Sequence, residues 1–316
     1  MSQPNEAVVY CKGAKHLEDD LVHRILPVEN GSFSCKETKV KIHGSSREKE
    51  IVVVQSFDLS PNDRLMELIL TIDALNRSGA KPVSVILPLF PYARQERKDD
   101  SGTPISARVV CDMLKMVNIK RLISIDLHAT AIQGFMDSSV VFDHVSSSSF
   151  MCYHLSSLLP DLSEWILCSP DGGGIKRVQK FASLMGIRDL CFMDKTRAVA
   201  NKIDNMKLLV GNVKKRKVLI LDDMVDTGNT LATNIEILYG NEAEEVVAGG
   251  THGIFSGGAF EVLNGKRVIT TNTTNWYDRP NKPDSFECLN IKPLVNEIID
   301  RIFSGTSMAS FFYKWK

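Results

Sequence analysis

The stretch of sequence best equipped for chemistry is Val218-Leu219-Ile220-Leu221-Asp222-Asp223-Met224-Val225-Asp226-Thr227-Gly228-Asn229-Thr230. An apolar run that reads as a buried strand ends in two adjacent carboxylates. It then turns through a short polar loop containing Gly228 and enters an amphipathic helix near Thr230. In sheets covered by helices, ligands sit beyond the carboxyl ends of the strands. The backbone N–H groups of residues 226–230, the hydroxyls of Thr227 and Thr230 and the helix N-terminus suit a phosphate dianion. Asp222 and Asp223 suit the other end of the same ligand, because ionised carboxylates accept hydrogen bonds and a ribose donates them from its 2- and 3-hydroxyls. Asp226, Thr227, Gly228, Asn229 and Thr230 with the two acids therefore fit ribose 5-phosphate. A solvated turn before a capped helix explains Asp226 and the threonines, but not paired acids closing a buried strand. The sequence has no Gly-rich loop ending in Gly-Lys-Ser or Gly-Lys-Thr, so a P-loop is excluded.

Other charged groups follow apolar runs in the same way. Residues 92–104 carry Arg94, Gln95, Glu96, Arg97, Lys98, Asp99 and Asp100 in one tract. Asp126 and His128, Asp171, and the pair Lys195 and Arg197 each lie just past a run that reads as a strand. Taken alone, such groups are solvated loops and surface charges, and an isolated His is more often structural than a ligand.

The elements that position these groups read as α/β. Residues 51–54 form a continuous apolar strand, as expected where both faces are buried. Ser60 caps a helix with Pro61 at its first position and an apolar stripe of Leu65, Leu68, Ile69, Ile72 and Leu75 that stops near Gly79. A strand at 83–87, a helix at 105–117 and a strand at 121–125 complete a βαβαβ half. The second half repeats the theme with strand 165–167, helix 174–185, strand 217–221, helix 230–239 and strand 245–248. The expectation is two similar domains, 1–147 and 148–302, parted at the Ser146-to-Ser149 tract, with the aromatic tail of about 303–316 packing on the first.

The 316 residues hold 38 Lys plus Arg and 38 Asp plus Glu, so no overall positive field recruits nucleic acid. Apolar residues are 43% and charged residues 24% of the chain, an ordinary globular composition. The apolar runs fall short of the roughly 20 residues of a membrane span. The start lacks the basic and then apolar regions of a signal peptide. Seven cysteines without a CxxC unit read as reduced thiols, and the cytoplasm is the expected location.

Residues 222–230 resemble the phosphoribosyl-pyrophosphate motif shared by type I phosphoribosyltransferases and ribose-phosphate pyrophosphokinases. Pro91-Tyr92-Ala93-Arg94-Gln95, Asp126-Leu127-His128-Ala129, Ser169-Pro170-Asp171-Gly172-Gly173 and Thr251-His252-Gly253-Ile254-Phe255-Ser256-Gly257 resemble the pyrophosphokinase family specifically. They keep that family's order and spacing over nearly the whole chain. The resemblance implies two type I phosphoribosyltransferase-like domains, each with a mainly parallel sheet flanked by helices. It implies transfer of the β,γ-diphosphoryl group of ATP to ribose 5-phosphate with Mg2+. Arg94 and Gln95 would bind the nucleotide. Phe33 and Glu37 would bind adenine from a neighbouring subunit, although Cys35 stands where the family usually has Asp or Asn. Asp126, His128, Asp137 and Asp171 would serve the metal, with His128 near the ATP phosphates, and Val141 replaces a further family Asp. Lys195 and Arg197 would supply the transition-state cations.

The resemblance further implies homodimers assembled to a hexamer. Ser45 and Arg47 match positions of a regulatory anion site, while Asp100 and Gly102 replace basic residues of the animal enzymes, so weak activation by phosphate is expected. Two alternatives stand beside an active synthase. One is the family's noncatalytic associated subunit. The other is a type I phosphoribosyltransferase, which would consume the same product and need a hood for its base.

Overall fold

Runs of β-branched residues without polar alternation require burial on both faces of a sheet, and the two larger sheets supply it. The computed structural model describes residues 5–196 and 205–313. These fall into two units. The first takes the chain up to Ser146, with Thr273–Asn275 and the segment from Ile291 onward; the second takes Ser147–Asn272 and Trp276–Asn290.

In the first unit, β1 (Glu6–Tyr10), β2 (Val28–Ser32), β3 (Thr38–Ile42), β4 (Glu50–Val54), α1 (Pro61–Arg77), β5 (Ser84–Leu87), α2 (Ser106–Met116), β6 (Arg121–Ile125) and β7 (Val141–Val145) follow in order. A five-stranded sheet has the order β1-β4-β5-β6-β7, with every neighbouring pair parallel. β2 and β3 form a separate antiparallel hairpin. The stripe Leu65, Leu68, Ile69, Ile72 and Leu75 is buried on α1, as its 3.6-residue spacing demands. Ser60 is the N-cap, but its hydroxyl does not cap the helix. Instead its own N–H donates to Asp58 Oδ1 at 2.9 Å.

The second unit holds α3 (Ser148–Leu158), β8 (Trp165–Ser169), α4 (Ile175–Met185), β9 (Leu190–Thr196), β10 (Asn205–Val210), β11 (Lys217–Val225), α5 (Asn229–Gly240), β12 (Glu245–Gly253), α6 (Ala259–Val262), β13 (Arg267–Thr271) and β14 (Phe286–Leu289). Its seven strands run β10-β9-β8-β11-β12-β13-β14, parallel except for the β9–β10 pair. Ile166, Val218, Ile220, Val246, Ala248, Ile235, Leu238 and Trp276 belong to one buried cluster under the helices.

Two sequence expectations need correction. The return to the first unit begins at Ile291, earlier than the tail at about 303. The cause is α7 (Lys292–Ser304), which buries Leu294, Val295, Ile298, Ile299 and Ile302. α7 is tied down by Lys292 Nζ donating to Glu18 O at 2.9 Å and Asn296 Nδ2 to Asp19 Oδ2 at 3.0 Å. Beyond it, α8 (Ser310–Tyr313) follows, and the Arg301 guanidinium lies 4.8 Å from the Phe311 ring centroid. The second correction concerns β11, which continues four residues past Leu221, to Val225. Among the described residues, no helix is long and apolar enough to cross a membrane.

Candidate active site

The extension of β11 is what presents the two acids. β11 pairs with β8 only from Lys217 to Ile220. With β12 it pairs on through Asp222↔Gly250 and Val225↔Gly253. From Leu221 the strand thus runs beyond its β8 neighbour, leaving an open edge at which polar groups can meet a ligand. The Asp223 side chain is 7% exposed and that of Asp222 30%, so both are largely withdrawn from water while the pair retains an opening.

A third group joins them. Arg177 Nη1, on α4, lies 3.3 Å from Asp222 Oδ1 and 3.6 Å from Asp223 Oδ1. Asp222 Oδ1 also accepts from the Asp223 backbone N–H at 2.8 Å. Burial, and then the charge of Asp223, push the Asp222 carboxyl up to about 8, against the pull of Arg177. Two acids this close titrate as one unit and favour a shared proton.

The turn ahead of Arg177 is set by Asp171. Its Oδ1 accepts from Gly173 N–H at 2.9 Å and Gly174 N–H at 3.1 Å. Ser169 Oγ donates to Asp171 O at 2.6 Å, and Asn234 Nδ2, buried on α5, donates to Pro170 O at 3.3 Å. Asp171, expected from the resemblance to serve a metal, here caps the turn that delivers Arg177.

After Val225 the chain bends through Asp226, Thr227 and Gly228 into α5. Gly228 is the N-cap, in the left-handed region at φ +79°. A Cβ there would lie 2.8 Å from Leu263 Cγ and Cδ1, so only glycine fits both the backbone and the space. Having no side chain, Gly228 cannot cap α5, and the first N–H groups of that helix remain available to an anion. Ser256 Oγ donates to Asp226 Oδ1. Ile254 N–H and Phe255 N–H both donate to Val225 O, at 2.8 and 3.1 Å. Arg279 Nη1 donates to Ile254 O at 2.7 Å and Phe255 O at 3.1 Å. Beneath, Phe255 packs on Trp276 and Phe286 with ring centroids 4.9 and 5.1 Å away. Gly253 permits this approach, since a Cβ there would meet Phe255 and Trp276 inside 3.0 Å. The loop is thus backed by a rigid aromatic base.

The remaining candidates lie on other elements. On the first unit, Phe33 is 53% exposed at the turn of the β2–β3 hairpin, where its N–H donates to Glu37 O at 2.9 Å; Glu37 is exposed. Arg94 and Gln95 are exposed just past β5, with Gln95 Oε1 accepting from Ser106 Oγ. Asp126 and His128 follow β6, with Asp126 in the left-handed region at φ +40°. Asp137 is engaged by Ser139 N–H at 2.9 Å and Lys115 Nζ at 3.4 Å; the Ser139 hydroxyl, first, then its N–H and the lysine hold it below the usual carboxylate range. Ser45 and Arg47 are exposed in the β3–β4 loop. In the second unit, Lys195 lies on β9, while Arg197 falls outside the described residues.

Among the described residues, no three His, Cys, Asp or Glu side chains gather around one metal position. Mg2+ takes oxygen ligands, usually keeps several waters and is held by one or two carboxylates together with substrate phosphates; Asp126, Asp137 and Asp171 are the carboxylates that could serve it. Sequence reasoning missed Arg177. Its signal was available, because Lys176 and Arg177 place two cations in the first turn of α4, which has no acid there, against the preference of the helix dipole.

Comparison with known proteins places the chain in a family. Residues 12–117 match the family model of the N-terminal domain of ribose phosphate pyrophosphokinase. Residues 191–313 match the phosphoribosyl synthetase-associated domain. A ribose-phosphate pyrophosphokinase of Helicobacter pylori is 36% identical over 299 residues, 95% of this chain and 91% of that protein. Ribose-phosphate pyrophosphokinase A of Dictyostelium discoideum is 35% identical over 303 residues, 95% and 94% of the two chains. The crystal structure of phosphoribosylpyrophosphate synthetase from Mycobacterium smegmatis superposes with a TM-score of 0.88 at 32% identity, covering 95% of this chain and 99% of that one.

Proposed function

Because the chain belongs to the ribose-phosphate pyrophosphokinase family, we propose that it transfers the β,γ-diphosphoryl group of ATP to O1 of ribose 5-phosphate, giving 5-phosphoribosyl 1-pyrophosphate and AMP. The observation that carries the reading is the junction of β11 and α5, where a withdrawn acid pair is followed within a few residues by a helix start with no side-chain cap. The N–H groups of residues 226–230 with Thr227 and Thr230 hold the 5-phosphate. Asp222 and Asp223 accept from the ring hydroxyls, which fixes the orientation of the sugar and its O1.

O1 attacks the β-phosphorus, the bond from that phosphorus to the oxygen bridging to the α-phosphorus breaks, AMP leaves with that oxygen, and the O1 proton passes to solvent. Charge grows on the nonbridging and leaving oxygens. Lys195 and Arg197 are the cations assigned to it, and His128 sits by the ATP phosphates. Arg94 and Gln95 hold the nucleotide, because a planar guanidinium pairs with phosphate and stacks on a base. Mg2+ bound with ATP neutralises phosphate charge. Asp126, Asp137 and Asp171 are the acids that would serve it, partly through water.

Phe33 and Glu37 serve adenine in a neighbouring subunit, which makes a homodimer the smallest complete enzyme and a hexamer its assembly. Ser45 and Arg47 mark a weakened regulatory anion site. All seven cysteines are free thiols, which accords with a cytoplasmic location.

The decisive assay mixes the protein with ATP, ribose 5-phosphate and Mg2+ and follows AMP and 5-phosphoribosyl 1-pyrophosphate. Formation of both in equal amounts is expected. Folded protein that forms neither would favour the noncatalytic associated subunit. Consumption of 5-phosphoribosyl 1-pyrophosphate with a nucleobase would point to a phosphoribosyltransferase.

A further inference from the structure

Arg177 is the one charged side chain among the described residues seen in contact with both acids of the site. The same nitrogen, Nη1, reaches Asp222 Oδ1 at 3.3 Å and Asp223 Oδ1 at 3.6 Å. The Arg177 side chain is itself only 25% exposed. It does not pair there by accident of a flexible surface. Asp171 caps the turn from which α4 starts, through Gly173 and Gly174 N–H, and Asn234 binds Pro170 O behind it. A cation in the first turn of a helix is electrostatically unfavourable unless something answers it, and here the answering groups are the two acids.

We infer that Arg177 is a positioning residue that fixes sugar selection, holding Asp222 and Asp223 so that both need a hydroxyl donor and a ribose is preferred over a 2-deoxyribose. The inference rests on the assignment of those two acids to the sugar ring. With the guanidinium in place, both carboxylates present acceptor lone pairs toward the ligand, and a sugar lacking the 2-hydroxyl leaves one of them desolvated without a donor. A site built to bind a hydroxyl rejects the analogue without it far more strongly than an apolar pocket rejects a missing methylene. Without the guanidinium, which touches both acids, nothing holds the two carboxyls in one orientation toward the ligand and they can turn away from it, so the missing hydroxyl matters less. Among the described residues, Arg177 on α4 contacts the pair; of the titratable groups on adjoining stretches, Asp226 follows in the loop and His252 is buried on β12 opposite Met224.

The test compares kcat/KM for ribose 5-phosphate and 2-deoxyribose 5-phosphate in the full-length enzyme with Mg2+ and saturating ATP. The native enzyme should favour the ribose by on the order of 1,000-fold or more. Arg177→Gln should cut that ratio at least tenfold, chiefly by raising KM for ribose 5-phosphate, with KM for ATP changed less than threefold. Arg177→Lys should restore most of the ratio, because a single nitrogen spans both acids. Arg177→Met, which keeps the aliphatic stem, replaces the Gln variant if that one does not fold. A ratio unchanged in the neutral variants, or equal losses for both sugars, would overturn the inference. Asp223→Asn run in parallel separates the two claims. If it erodes sugar selection while Arg177→Gln does not, the role of Arg177 fails alone. If neither variant alters ribose 5-phosphate binding, the sugar assignment fails as well.

Discussion

Replacing Asp222 by Asn should make the protein more stable in mild alkali while weakening its hold on ribose 5-phosphate. The folded chain keeps the Asp222 carboxyl up to about 8, from an ordinary value of 3.8, through burial first and the neighbouring Asp223 charge second. A carboxyl raised in the folded state binds its proton more tightly there than in the unfolded chain. Stability therefore falls as pH rises from near 4 toward 8, and the penalty is complete above that window. At about 1.4 kcal/mol per unit the shift sets a ceiling of roughly 6 kcal/mol. Partial solvent access at Asp222 and the Arg177 contact screen the repulsion, which brings the expected gain of Asp222→Asn to about 2 kcal/mol at pH 8.5. At pH 5 the gain should be a small fraction of that, because the native acid is still largely protonated in the fold. The carboxamide oxygen still accepts from Asp223 N–H, so the backbone at this point is retained. Urea unfolding of both proteins at the two pH values measures the effect. A variant no more stable than the native chain at pH 8.5, or a gain equal at both pH values, would refute the strained-pair reasoning.

Lys195→Ala should lower kcat roughly 100-fold or more with folding intact, since one well-placed transition-state donor is worth about 3 kcal/mol; steady-state turnover alongside circular dichroism checks it. Gly228→Ala should destabilise the protein by about 2–3 kcal/mol, combining a left-handed alanine with a Cβ pressed on Leu263, and should weaken ribose 5-phosphate in calorimetry. Phe33→Ala should raise KM for ATP about tenfold, as expected for the loss of a base-stacking ring worth roughly 1–3 kcal/mol, and leave KM for ribose 5-phosphate nearly unchanged in the same assays.

Much of the second unit was legible because its signals are local. The apolar run from Val218, the acids after it and the helix from Thr230 announce a strand, a turn and a helix within thirteen residues, and period and composition alone set those element types. The strand's end was misplaced, however. Asp222, Asp223 and Met224 are poor strand signals by type, yet β12 offers them hydrogen-bonding partners as far as Gly253. The ladder of a neighbouring strand outweighs local propensity. The hairpin carrying Phe33 went unseen for the opposite reason: Val-Glu-Asn-Gly-Ser and Thr-Lys-Val-Lys-Ile are short and polar, and only their mutual pairing makes them strands.

What the sequence by itself determined is the inventory: an α/β chain in two halves, a phosphate-accepting turn at residues 226–230, and acids suited to a sugar. These depend on residue types within a few positions of one another. Tertiary structure alone decided that Arg177, forty-five positions before Asp222, closes onto both acids, that Asp171 caps the turn ahead of it, and that Ile291 rather than the aromatic tail begins the return to the first unit. Such pairings depend on which strands become neighbours and how far each outruns the next, and that is settled by packing across the whole sheet rather than by any local run of residues.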